Sequence, residues 1–288
     1  MRAGSKNLGL FVEASLRPRL KRLSSNLRNT EKRPEDADQI HDLRVAIRRF
    51  TQGLRIFKHL LKSSDVRKMR RRLRPVMSLC GTIRNCDIAH DVLRASHAAI
   101  PEDLQQRLAR TRSAAGSDLT DLLQDSNLAQ KTRDWDKWLR AEASPNQTIT
   151  STARRILIPL TKEFMEAGAG AANPESTPLE MHRFRLQGKR LRYTLEIFGP
   201  IVGPQWKQWI KRVRDLQEQL GAINDCVTTR DLIADPSGPS EDLLAAESAL
   251  ERLLKERIET FREYWNKHLG PQGRSSWLAQ VEKIGRTA

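Results

Sequence analysis

The chain has 288 residues, enough for one large domain or two of ordinary size, and 51 Lys and Arg against 35 Asp and Glu leave it at +16. So positive a balance, with a pI near 10.3, requires an anionic partner: nucleic acid, a membrane surface or a polyanion. Aromatic residues at 5% weigh against single-stranded nucleic acid, whose bases need exposed rings, and Cys80, Cys86 and Cys226 lack the spacing of a disulfide framework or a structural zinc site.

The apolar run Leu8 to Val12 is too short for a signal segment or a membrane span, so a soluble, unexported, cytoplasmic protein is expected. Leu16, Leu20, Leu23 and Leu27 predict a first amphipathic helix over 8–27, with Pro18 a point of kinking. After the polar segment 30–36 a second helix runs from about 36 to 61, and Ser63-Ser64-Asp65 caps a third. That third helix carries Arg67, Arg71 and Arg74, then Gly81, Arg84 and Asn85. Pro101 opens a fourth, striped by Leu104, Leu108, Ala115, Leu119 and Leu122, and a short linking helix over 135–143 closes at Ser144-Pro145-Asn146.

From Ile149 the order begins again. Ile156, Leu157, Leu160 and Phe164 mark a helix, residues 168–178 read as a small-residue linker, and Thr177-Pro178-Leu179-Glu180 reads as a capping box. The helix it starts closes at Gly199-Pro200, and Gly203-Pro204 opens the next, with Lys207, Lys211, Arg214, Gly221, Asn224 and Asp225. The loop Asp235 to Pro239 precedes a long helix striped by Leu250, Leu254, Ile258, Phe261 and Trp265, and a segment around Trp277, Leu278 and Val281 ends the chain. Trp135 with Trp138, and Trp206 with Trp209, are each three apart, a spacing that predicts packing roles.

Two of these helices carry a histidine followed by cations about one turn apart. His182, Arg185, Lys189 and Arg192 fall within an arc of roughly 80° on a helix, and His41, Arg44, Arg48 and Arg55 form the earlier version. A solvated basic face needs charge but has no reason to place a histidine at the head of the row twice. Arg49 and Arg190 lie on the flank, directed either at the same anion or at an acid on a neighbouring helix. His182 minus His41 is 141, and Gly221 minus Gly81 is 140. Lys207, Lys211 and Arg214 likewise lie 140 beyond Arg67, Arg71 and Arg74. The chain is therefore expected to be all-α, built as two tandem repeated four-helix units over about 7–143 and 149–285 with a pseudo-twofold relation.

Four motifs in this order, H-x-x-R-x-x-x-R-R at His41 to Arg49, G-x-x-R-N at Gly81 to Asn85, H-x-x-R-x-x-x-K-R-x-R-Y at His182 to Tyr193 and L-G-x-x-N-D at Leu220 to Asp225, resemble the CHAD domain, the conserved histidine α-helical domain. The resemblance implies a single domain made of a pair of four-helix bundles with a basic central cleft, binding of inorganic polyphosphate and association with polyphosphate granules. Some members also carry a CYTH domain; its alternating acidic strand motif has no match here, so a free-standing member is expected. The halves differ: Thr51 stands where the second copy has Arg192, and Arg84 where it has Asn224.

The implied ligand suits the residues. A flexible chain of phosphates calls for spaced cations, and arginine's planar fork meets phosphate oxygens with two parallel hydrogen bonds. The row from His182 to Arg192 covers about 15 Å. The candidate polyphosphate-binding set is His41, Arg44, Arg48, Arg49, Arg55, Arg67, Arg71, Arg74 and Arg84 in the first half. In the second half it is His182, Arg185, Lys189, Arg190, Arg192, Lys207, Lys211 and Arg214. For His41 and His182 three roles stay open: a packed helix histidine, a metal ligand and a direct phosphate contact, the last of which would strengthen binding as pH falls through the histidine range. Gly81 and Gly221 read as close-contact points between helices. No catalytic residue, metal or cofactor is expected and no membrane role. The alternatives are a nucleic-acid-binding basic protein, for which duplex DNA is the competing ligand, and a phosphohydrolase or phosphotransferase.

Overall fold

Residues 7–140, 147–203, 205–234 and 241–284 are described by a computed structural model, and among them every regular element is a helix. In chain order these are α1 (Leu8–Lys32), α2 (Ala37–Ile56), α3 (Ser63–Ala95), α4 (Glu102–Ser126), α5 (Leu128–Trp138), α6 (Ile149–Ala171), α7 (Pro178–Val202), α8 (Trp206–Ile233), α9 (Glu241–His268) and α10 (Pro271–Glu282). The predicted stops at Ser144-Pro145-Asn146 and Pro204 and the loop Asp235 to Pro239 lie outside the described residues. Contacts divide the described residues into two compact units, one of 7–91 with 100–140 and 147, the other of Val92–Ala99 and the chain from Thr148 onward.

In the N-terminal unit, Leu16, Leu20, Leu23 and Leu27 of α1 are buried, as their spacing requires, and α1 packs on both α2 and α5. Burying each such leucine is worth about 1.5–3 kcal/mol. Asp36 caps α2 by accepting from the backbone N–H of Asp38 and Gln39 at 2.9 and 3.2 Å. The helix stops at Ile56, short of the expected 61. The segment beyond it is turned inward, and Phe57, Leu60 and Leu61 are buried. Pro18 lies inside α1 on its exposed side, where the missing N–H and the ring do not end the helix.

The short helix expected as a link is part of the core. Asn127, at φ 45°, takes the left-handed conformation that asparagine tolerates and reverses the chain between α4 and α5. Trp135 is then fully buried and stacks on Phe50 at 6.2 Å. Trp138 is half-buried, with Lys68 over its ring at 5.9 Å.

In the C-terminal unit, Thr148 and Thr177 open α6 and α7 with capping boxes. At the second, the Thr177 N–H donates to Glu180 Oε2 at 2.7 Å, and that bond holds the Glu180 carboxyl below its ordinary pKa. Residues 168–171, read as linker, are the last turn of α6. A β-carbon on Gly168 would stand 2.0 Å from the Trp265 ring, so glycine here serves close packing. Phe164, Phe184, Phe261, Trp265 and Trp277 form the aromatic core around that contact. Helix α7 continues through Gly199-Pro200 and ends at Gly203, whose φ of 106° favours glycine.

Candidate functional site

Helix α2 buries Ile40, Leu43, Ile47, Phe50 and Leu54, and this apolar face leaves the cations on its other flanks. His41 and Arg55 are exposed, whereas Arg44, Arg48 and Arg49 are half-buried. Arg44 leans onto α3: its Nη1 donates to the Met77 carbonyl at 3.4 Å and lies 3.1 Å from where a β-carbon on Gly81 would be. Close by, burial pushes the Cys80 thiol up to about 11, against the opposing pull of the Arg44 charge. Arg67, Arg71 and Arg74 are exposed along α3, with Arg84 half-buried further on. No acidic side chain pairs with these four among the described residues.

In the C-terminal unit α7 and α8 meet in an antiparallel register that three contacts define. His182 Nδ1 donates to Asn224 Oδ1 at 2.5 Å, and Asn224 is itself oriented by donating Nδ2 to Thr228 Oγ1 at 3.3 Å. Arg185 lies over Gly221, its Nη2 3.7 Å from a β-carbon built there. Gly188 faces Gln217, whose Nε2 would be 3.4 Å from a β-carbon on that glycine. With Nδ1 committed to Asn224, the Nε2 of His182 is the ring nitrogen available to a further partner.

Arg44 and Gly81 in one unit, and Arg185 and Gly221 in the other, thus repeat the same relation. Gly81 is a close-contact point, as expected, but the group it accommodates is the Arg44 side chain, whereas a β-carbon on Gly221 would meet Arg185 only at ordinary contact distance. The histidines differ between units. The chain positions that give Asn224 opposite His182 give Arg84 on α3, a cation that offers imidazole no acceptor, and His41 is exposed.

Two candidate cations are directed elsewhere. Arg190 pairs with Glu163 on α6 at 3.4 Å, and Lys211 pairs within α8 with Asp215 at 3.0 Å. The Arg190–Glu163 pair is exposed and Lys211 is exposed opposite a half-buried Asp215, so both contribute little to stability. Lys207 and Arg214 are exposed, and Arg192 is half-buried with its guanidinium over the Tyr193 ring at 4.9 Å.

Sequence spacing missed three residues beside the rows. Arg112 on α4 reaches back to α3, its Nε donating to Asp87 Oδ1 at 2.7 Å, and Arg257 on α9 donates to the Ala222 carbonyl at 2.9 Å and to Cys226 Sγ at 3.1 Å. Each braces a row-bearing helix from behind. Gln217, buried between α7 and α8, has no partner for its Nε2. No signal short of the helix register points to these side chains. Among the described residues no cluster of three or more His, Cys, Asp or Glu is placed to hold a metal ion, and no helix is long and apolar enough to cross a membrane.

The all-helical architecture, with histidine-led arginine rows on paired helices, defines a class of basic helical domains. Residues 14–234 match the family model of the CHAD domain, and the chain belongs to that family. Among solved structures it is similar to PptA from Streptomyces chartreusis, with a TM-score of 0.68 at 18% identity over 91% of this chain and 99% of that one. It is also similar to the CHAD domain from the plant Ricinus communis, with a TM-score of 0.64 at 18% identity over 98% and 93% of the two chains. No curated protein sequence matches the chain.

Proposed function

We propose that the chain binds inorganic polyphosphate without turning it over, through the cations of α2 and α3 and of α7 and α8. Support comes above all from Arg44 and Arg185, each lying across a glycine of the next helix beside a row of further cations. Arg67, Arg71, Arg74 and Arg84 have no carboxylate to neutralise them among the described residues, so their charge is available to an anion. Successive arginines one helical turn apart, about 5.4 Å, suit a ligand whose negative charge repeats along its length. Two of the acids near the second row, Glu163 and Asp215, are engaged with Arg190 and Lys211. On this reading the physiological setting is the polyphosphate granule of the cytoplasm, and granule proteins are the expected company.

The test is a titration with long-chain polyphosphate in the presence of excess duplex DNA. Polyphosphate binding that survives the competitor and weakens in a folded Arg185→Ala/Lys189→Ala/Arg192→Ala variant is expected. Equal displacement by DNA would replace polyphosphate with nucleic acid as the ligand, and release of orthophosphate during the titration would make the protein a hydrolase.

A further inference from the structure

We propose that a groove between α1 and α5, in the N-terminal unit, is a separate anion site for a compact ligand of one or two phosphoryl groups carrying no base. The groove has a volume of about 230 Å³ and shares no residue with the rows on α2 and α3. Arg17, Lys21, Ser24 and Arg28 line it from α1 at i, i+4, i+7 and i+11, one helical face about 16 Å long. Arg133 and Asp136 close it from α5.

Charge in the groove is not balanced. Arg17 is clamped between Glu13 at 3.0 Å and Asp136, which takes up the one carboxylate of the lining. Lys21, Arg28 and Arg133 are exposed and have no acidic partner among the described residues. Arg28 Nη1 donates instead to Ser24 Oγ at 2.8 Å, which fixes the direction of its guanidinium and leaves the serine hydroxyl proton free to donate. Like charges held around a concavity repel one another, and an anion seated among them removes that repulsion while gaining charge-assisted hydrogen bonds.

Shape selects the ligand. No aromatic ring lines the groove, and its chief apolar contribution is Leu20, so a nucleobase finds no surface to stack on. The volume lies below the roughly 300 Å³ at which pockets for larger organic ligands begin. The feature also stands outside the repeated pattern. An offset of 141 places Ile158, Lys162, Met165 and Ala169 on α6 where α1 has Arg17, Lys21, Ser24 and Arg28, so the cation row has no counterpart there.

The experiment is calorimetric titration with pyrophosphate at low salt. It compares the wild type, Lys21→Gln/Arg28→Gln/Arg133→Gln, and a control that removes equal charge from α9, Arg252→Gln/Lys255→Gln/Lys267→Gln. The altered side chains are exposed, and circular dichroism verifies helicity. Pyrophosphate affinity should fall at least about tenfold in the groove variant and stay within about twofold in the control. Pyrophosphate bound equally by the groove variant and the wild type, or not bound by the wild type, would overturn the proposal. Long-chain polyphosphate titrated into the same proteins reads the other site separately, so pyrophosphate binding that persists without any long-chain binding would remove the polyphosphate function and leave the groove.

Discussion

The guanidinium of Arg44 lies across Gly81, 3.1 Å from where a β-carbon on that glycine would stand, and Arg185 lies across Gly221, 3.7 Å from a β-carbon built there. Alanine in a helix is favoured over glycine by about 1 kcal/mol. Gly221→Ala fits at ordinary contact distance and should stabilise the protein by up to that amount. Gly81→Ala has the same helical gain but pushes the flexible end of Arg44 aside. Its stability in urea should be held or raised, while polyphosphate affinity falls by roughly threefold, equivalent to about 0.6 kcal/mol. Equal effects of the two alanines on binding would count against Arg44 as a ligand contact.

Arg112 and Asp87 form the half-buried ion pair that braces α3, with side chains 32% and 16% exposed. Asp87 Oδ2 is already buried without a partner. Arg112→Ala strips the carboxylate of its donor and should cost about 1–3 kcal/mol in urea unfolding. Lys211→Ala, which breaks a pair whose lysine is 77% exposed, should change stability by less than about 0.5 kcal/mol. The contrast separates bracing from surface pairing.

Gly168 should resist even alanine. Its missing β-carbon is where the Trp265 ring packs, and overfilling such a contact costs about 1–3 kcal/mol, enough to override the helical preference for alanine. The same position shows why some of the fold was not legible in sequence. Gly168, Gly170 and the alanines around them have a linker's composition, and only Trp265, far along the chain, makes them a packed helix end. Features set by neighbours in sequence were readable: the Thr177 capping box, the leucine stripe of α1 and the cation rows. Those set by helix register were not: the Asn224 partner of His182 and the reach of Arg112 onto Asp87; for Arg190 the sequence offered an acid on a neighbouring helix as one of two partners, and the register supplies it as Glu163.

Tyr264 gives the pH dependence. Burial, reinforced by the negative charge of Asp215, pushes its phenol from 10 up to about 12. The folded protein therefore holds the phenolic proton more tightly than the unfolded chain does. The resulting stability is fully present below pH 10 and is lost as pH rises towards 12. Urea unfolding across that window should show a steeper loss in the wild type than in Tyr264→Phe; parallel curves would mean that the phenol is not held in this way.

The most direct measurement is the salt dependence of polyphosphate binding in the wild type and in the Arg185→Ala/Lys189→Ala/Arg192→Ala variant. Each cation that displaces a counterion from the ligand steepens the fall of log affinity against log salt, by about 0.7–0.9 per contact in nucleic acids. Removing three contacts should flatten that slope by about 2–3 while helicity is unchanged. An identical slope in the two folded proteins would contradict a polyphosphate site on α7.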